Sequence, residues 1–184
     1  IVDYVFRVAN DIADLDKGML GANGIVGGGP PLAIGAALTA KTLKTGGVGL
    51  SFTGDGGSNQ GLTFEAMNMA VVLKLPVIFV FENNGFGEGT GHDYAVGSKD
   101  IAGRAAGFGL PAVKVDGTDF FAVYEAAQTA IERALPKAVA QPQTKALAKK
   151  LRGQNDYDTS RNIFNDCVKA RLLQPFLLGC RSTN

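Results

Sequence analysis

Residues 50–84 read LSFTGDGGSNQGLTFEAMNMAVVLKLPVIFVFENN, and the architecture follows from them. The apolar run Val48 to Phe52 reads as a strand and ends in Gly54-Asp55-Gly56-Gly57. A helix follows, with Phe64, Met67, Val71 and Val72 at helical spacing. Pro76 to Phe81 is a short β-rich run that ends in Glu82-Asn83-Asn84. A helical crossover makes the two strands parallel, so both tips lie at one edge of the sheet. Asp55 and Asn84 are thereby expected to converge although 28 residues separate them. Ligands of open α/β sheets bind at that edge.

Upstream, residues 17–35 are glycine-dense, and Gly27-Gly28-Gly29 followed by Pro30-Pro31 forbids regular structure. A loop of this kind lets backbone approach a ligand closely. Pro31 to Lys44 reads as a buried helix with proline in its first turn. Downstream, five glycines between Gly85 and Gly97 predict a long, mobile or ligand-ordered loop. Residues 99–108 read as a short helix capped by Ser98. Ala112 to Val115 reads as a third strand, ending at Asp116-Gly117. Asp119 to Leu135 reads as an amphipathic helix capped by Thr118 or Asp119. Residues 1–14 read as a short helix or a frayed end, and 137–151 and 160–173 as weaker helices. There is no internal repeat.

With 184 residues, 46% of them hydrophobic, the chain suffices for one globular domain. No apolar run reaches membrane-span length. Cys167 and Cys180 form no metal motif, and a single histidine, His92, excludes multi-histidine metal sites. A formal net charge of +1 gives no reason to expect nucleic acid. The average conceals a change of texture. Residues 1–136 carry 9 basic and 14 acidic side chains, whereas 137–184 carry 9 and 3. Glycine falls from 23 to 2 across the same line. The expected division is therefore a core over 1–135 and a basic tail over 136–184.

Asp55 offers a carboxylate and Asn84 an amide oxygen, hard ligands suited to Mg²⁺, which commonly bridges protein oxygens to phosphates. A backbone carbonyl just past Asn84 supplies a third ligand in this reading. Gly56 and Gly57 present N–H groups to a diphosphate, and the helix that follows points its positive end at it. The competing reading is a glycine turn without a ligand. Gly-Asp-Gly alone does not separate the two; the Asn-Asn pair behind a second strand favours the ligand. A dinucleotide fingerprint fails because its third glycine position is Asn59, and no Gly-Lys-Ser/Thr of a P-loop occurs.

Gly54-Asp55-Gly56, then 28 residues ending in Asn83-Asn84, resembles the thiamine diphosphate motif. GDGGSNQG, FEAMNMA, LKLPVIFVFENN and GFGEGT resemble the alpha subunit of two-component 2-oxo acid dehydrogenases. ADLDKGMLGANGIVGGGPPLAIGAAL and DIAGRAAGFGLPAVKVDGTDFFAVYEAA are most similar to the acetoin dehydrogenase branch, with the pyruvate dehydrogenase alpha subunit as sibling. The resemblance covers roughly residues 11–134. It implies an α/β, three-layer thiamine diphosphate-binding fold with a mainly parallel sheet. Asp55, Asn84 and the backbone carbonyl of Phe86 match the Mg²⁺ ligands. Gly56 and Gly57 match positions that contact the diphosphate, and Gly24 and Val26 match positions whose backbone meets the aminopyrimidine ring. Glu88 to Ser98 matches a loop near the active-site entrance. The resemblance further implies an oxidoreductase that works with a beta subunit, which supplies the activating glutamate, in a two-alpha, two-beta assembly. A lipoyl-bearing acyltransferase takes the product, and neither nucleic acid nor membrane is involved. The implied location is cytoplasmic in a bacterium or the mitochondrial matrix in a eukaryote.

The family continues past residue 135 with a strand and a histidine-bearing loop that have no counterpart here. An upstream region with a further diphosphate-binding arginine is also missing. The fold is expected to be incomplete, and no catalytic residue is assigned. The alternative is a truncated or frame-altered remnant that folds or dimerises without turnover. A single-chain decarboxylase-like enzyme is disfavoured by length. His92 reads as a solvated loop residue, and Glu65 as a capping or interface residue. Met67 to Met69 read as helix packing. Glu82 is a weaker ligand than Asn84, because adjacent strand-end side chains alternate in direction. The tail lacks the interleaved aromatics of a single-strand nucleic-acid binder.

Overall fold

The computed structural model describes residues 13–135. They fall into two compact units, residues 13–22 and residues 23–135. Residues 1–12, both tail helices and both cysteines lie outside the described residues. The first unit is a 3-10 turn, Leu15–Lys17, beneath reciprocal backbone bonds of 2.9 and 2.8 Å between Asp14 and Met19.

The second unit begins with helix α1, Gly29–Leu43, which carries both prolines in its first turn, where their missing N–H is harmless. Its buried residues, Pro30, Ala33, Ile34 and Ala37, form one helical stripe. Leu32, Leu38 and Leu43 are exposed, so only this stripe of the helix is buried. Lys44 ends it in the left-handed region.

Strand β1, Gly49–Gly54, pairs in parallel with β2, Val77–Glu82, from Gly49 opposite Val77 to Gly54 opposite Glu82. Helix α2, Gly61–Val72, is the crossover between them. Gly49, Ser51 and Thr53 are buried, whereas Leu50, Phe52 and Gly54 are half-buried or exposed, as a strand's two-residue period requires. Ile34 of α1 and Ala66 and Ala70 of α2 form the core cluster, against which Leu75, Val77 and Phe79 pack. The helices α1 and α2 therefore cover one face of the parallel sheet. Gly49 permits the close crossing of α1: a Cβ there would meet the Ala33 carbonyl and lie 3.0 Å from the Ala37 methyl.

The glycine-rich segment after Asn84 is not a bare loop. It holds a hairpin of β3, Phe86–Gly87, and β4, Thr90–Gly91, then a one-turn helix α3, His92–Ala95. Helix α4 spans Ile101–Gly107. Ser98 does not cap it: its hydroxyl closes a turn on the Asp100 backbone, and Asp100 occupies the cap position without a side-chain bond. Helix α5, Phe120–Ala134, packs along β2 and is capped by Asp119, whose Oδ1 accepts from Phe121 and Ala122 N–H at 3.0 and 3.1 Å.

The expected strand over Ala112 to Val115 does not form. β-Propensity describes fit to a paired, half-buried surface. No neighbouring strand pairs with this segment among the described residues, and Val113 remains 65% exposed. No helix among the described residues is long and apolar enough to cross a membrane.

Candidate cofactor site at the sheet edge

The register Gly54 opposite Glu82 sets Asp55 one residue past β1, with Asn83 and Asn84 just past β2. The two tips touch. A Cβ on Gly56 would lie 3.1 Å from the Gly87 Cα, and one on Gly87 would lie 3.0 Å from the Gly56 Cα. The turn after β1 and the hairpin after β2 thus meet backbone to backbone.

Asp55 is 2% exposed. Its carboxylate has no cationic partner among the described residues. Its carbonyl oxygen accepts from the Ser58 N–H at 3.2 Å and from the Ser58 hydroxyl at 2.6 Å. Gly57–Asn59 is a 3-10 turn, so α2 starts only at Gly61. The anion-facing donors are then those of the turn itself rather than the first turn of α2. Asn59 and Gln60 N–H groups bond back to the Gly56 and Gly57 carbonyls, whereas Gly56 and Gly57 N–H donate to no acceptor among the described residues. Thr63, fully buried, anchors the Gly57 carbonyl at 2.9 Å.

Asn84 Oδ1 accepts from the Phe86 N–H at 2.9 Å, and Asn83 Oδ1 from the Gly85 N–H at 3.0 Å. An amide oxygen has two lone pairs, so this turn orients Asn84 and leaves an acceptor position for a cation. No group of three or more His, Cys, Asp or Glu side chains with metal-binding geometry occurs among the described residues. A cation at this edge would therefore rely on one carboxylate plus amide and backbone oxygens, the hard donor set of Mg²⁺.

The 23–28 loop reaches the same turn. Gly27, at φ 78°, lies so close to Gln60 that a Cβ would stand 2.6 Å from the Gln60 Cβ. A Cβ on Gly57 would lie 3.7 Å from Val26 Cγ1. Val26, Gly57, Gly56 and the Phe86–Gly87 hairpin therefore form one contiguous rim beside Asp55. Gly24 stands apart, with nothing within 4 Å of its would-be Cβ.

Two features escaped the sequence reading. Arg104 of α4 donates to Asn59 Oδ1 at 2.8 Å and to Ser58 Oγ at 2.6 Å. Burial pulls its guanidinium below the usual value. His92 is not solvated: its side chain is 11% exposed, and Nε2 is buried without a hydrogen-bond partner among the described residues. Glu65 is exposed on α2 beside Pro31, Ile34, Leu62, Ala66 and Met69, away from the Asp55 turn.

Comparison with known proteins places the chain in a family. Residues 7–140 match the family model of the dehydrogenase E1 component. The chain is 60% identical over 123 residues to the alpha subunit of acetoin:2,6-dichlorophenolindophenol oxidoreductase of Cupriavidus necator, covering 67% of this chain and 37% of that protein. The Bacillus subtilis protein of the same name gives the same identity and coverage. The pyruvate dehydrogenase E1 component subunit alpha of Zymomonas mobilis is 47% identical over 112 residues, or 61% of this chain and 32% of that one. The chain thus spans about a third of the length of these relatives. With the matched segment holding both strand tips and the whole rim around Asp55, this chain belongs to the dehydrogenase E1 component family.

Proposed function

We propose that residues 1–135 are the cofactor-binding core of the alpha subunit of a thiamine diphosphate-dependent dehydrogenase of acetoin type. The observation that carries this reading is the backbone contact between Gly56 and Gly87, which sets the buried Asp55 beside the Asn84 tip. The Asp55 carboxylate, Asn84 Oδ1 and the Phe86 carbonyl hold Mg²⁺. Gly56 and Gly57 give their unengaged N–H groups to the diphosphate, and the backbone of Gly24 and Val26 meets the aminopyrimidine ring. Thiamine diphosphate, when bound, supplies the carbanion stabilisation that C–C cleavage beside a carbonyl requires. This chain's residues anchor it: the Asp55 charge balances the cation, and the glycine rim admits the phosphates without a Cβ in the way.

The rest of the activity needs other parts. A beta subunit brings the glutamate that activates the cofactor, in a two-alpha, two-beta assembly, and a lipoyl-bearing acyltransferase accepts the fragment. The work is done in the cytoplasm, or in the mitochondrial matrix if the source is eukaryotic. Titration calorimetry of thiamine diphosphate with Mg²⁺, in the presence of an acetoin-type beta chain, tests the reading. Binding is expected for the wild type and lost in Asp55→Ala; equal binding by both sinks it. Acetoin-dependent dye reduction by the reconstituted pair separates a working subunit from a chain that binds without turnover.

A further inference from the structure

Ser58 has no exposed surface, and its hydroxyl works as a relay. It donates to the Asp55 carbonyl oxygen at 2.6 Å and accepts from Arg104 Nη2 at 2.6 Å. Nη1 of the same guanidinium donates to Asn59 Oδ1 at 2.8 Å. Two donors on one rigid plane fix two acceptors at a set separation, which a lysine does not reproduce. The guanidinium is itself held in place. It lies 5.5 Å from the centroid of the Phe64 ring, and Phe64 stacks on Phe108 with centroids 6.1 Å apart. Arg104 stands 45 positions beyond Asn59, on the helix that follows the Asn84 loop. One side chain therefore ties the segment downstream of the second tip to the turn of the first.

We propose that Arg104 is a positioning residue for the cofactor-anchoring turn. Acting through Ser58 and Asn59, it holds the Asp55–Gln60 backbone in one conformation before any ligand arrives. The Asp55 carboxylate and the Gly56 and Gly57 N–H groups then need no reordering on binding, which lowers the entropic cost of association. Without the fork, the turn samples other conformations, and apparent affinity falls by the fraction that stays competent. The consequence for affinity rests on the reading of Asp55–Gly57 as the diphosphate and metal anchor; the ordering of the turn does not.

Two measurements on the full 184-residue chain keep those statements apart. Hydrogen exchange needs no ligand. Arg104→Met keeps an apolar stem over Phe64 and removes the fork, so the hydrogen-bonded amides of Ser58, Asn59 and Gln60 are expected to exchange about tenfold faster while β1 and α1 keep their protection. Arg104→Lys keeps the charge alone and restores only part of it. In the second measurement, thiamine diphosphate is titrated with Mg²⁺ and a beta chain present. Arg104→Met is expected to weaken binding about 10–100-fold. Ser58→Ala weakens it similarly, and the double variant is little worse than either single one, because both act on one relay. Unchanged exchange in the turn overturns the proposal. So does protection lost equally across β1 and α1, an unchanged affinity, or additive losses in the double variant. A wild-type chain that binds no thiamine diphosphate, beside an Arg104→Met chain whose turn alone is loosened, defeats the cofactor reading and supports the ordering of the turn by Arg104.

Discussion

Gly87 carries a constraint that the Gly-Asp-Gly motif does not display. Its backbone rests against that of Gly56, and neither partner is a flexible side chain that can swing away. Gly87→Ala introduces a methyl 3.0 Å from the Gly56 Cα, so the hairpin and the Asp55 turn must separate by a few tenths of an ångström. Overpacking of this kind costs about 1–3 kcal/mol. Mg²⁺-dependent cofactor affinity is expected to fall by about tenfold, which corresponds to about 1.4 kcal/mol. Calorimetry and a thermal melt measure the two effects, and wild-type affinity in Gly87→Ala would show that the contact does not set the site. Gly89 is the control: nothing lies within 4 Å of its would-be Cβ, so Gly89→Ala should leave affinity unchanged. Thr63 shows the complementary case. Its hydroxyl fixes the Gly57 carbonyl inside the fold, and Thr63→Val keeps the shape while removing that bond, so the carbonyl retains only the Gln60 N–H. A loss of about 0.5–1.5 kcal/mol in denaturant unfolding is expected, and a neutral result would mean that the Gln60 N–H or water suffices for the carbonyl.

Helix ends provide the clearest energetics at the next scale. Asp119 accepts from two otherwise unsatisfied N–H groups of α5. Asp119→Ala should cost about 1 kcal/mol, and Asp119→Asn only a few tenths, because asparagine caps nearly as well. A urea midpoint shift at constant m-value reads this, and an Asn variant as damaged as the Ala variant would assign the effect to charge rather than to capping. This cap was legible in sequence only as Thr118 or Asp119, whereas β1, α2 and β2 were read directly, because hydrophobic period and flanking turn residues agree for each. The parallel pairing followed from the crossover, and with it the placement of both strand tips at one edge of the sheet. Other features were not legible, for reasons that differ. Ala112 to Val115 has strand composition, but a strand is a property of a pair, and its partner is not encoded locally. Ser98 and Asp100 both suit a cap, and the backbone chose between them by closing a serine turn first. The Arg104 contacts join residues 45 and 46 positions apart, and nothing in the local pattern of α4 announces them. His92 sits in a glycine-rich stretch that reads as solvated; its burial follows from the way the 85–97 segment folds back, with its N–H on the Gly85 carbonyl at 2.8 Å.

For residues 23–135 as a whole, the buried apolar set is small in volume. Five of its nine members are alanines, and Ile34, Met67, Val96 and Ile101 are the larger ones. Burying a Val-, Leu-, Ile- or Met-sized side chain contributes about 1.5–3 kcal/mol, whereas an alanine contributes much less. Such a core leaves a narrow margin over the chain's conformational entropy. Ligand and fold should therefore be strongly linked. A ligand that binds only the folded state adds about 2.7 kcal/mol at hundredfold excess over its Kd. For a chain of this size that corresponds to a rise of about 5–10 °C in Tm. Thiamine diphosphate with Mg²⁺ is expected to give this shift in the wild-type chain assembled with a beta partner. EDTA should remove it, because the diphosphate then faces the Asp55 carboxylate without the intervening cation. Asp55→Ala, measured with and without ligand, should show no ligand-induced rise, because the cation has lost its charged ligand. Differential scanning fluorimetry at matched protein concentration measures all five states. A ligand-induced shift that survives EDTA, or that persists in Asp55→Ala, would place the stabilising contacts somewhere other than the sheet edge.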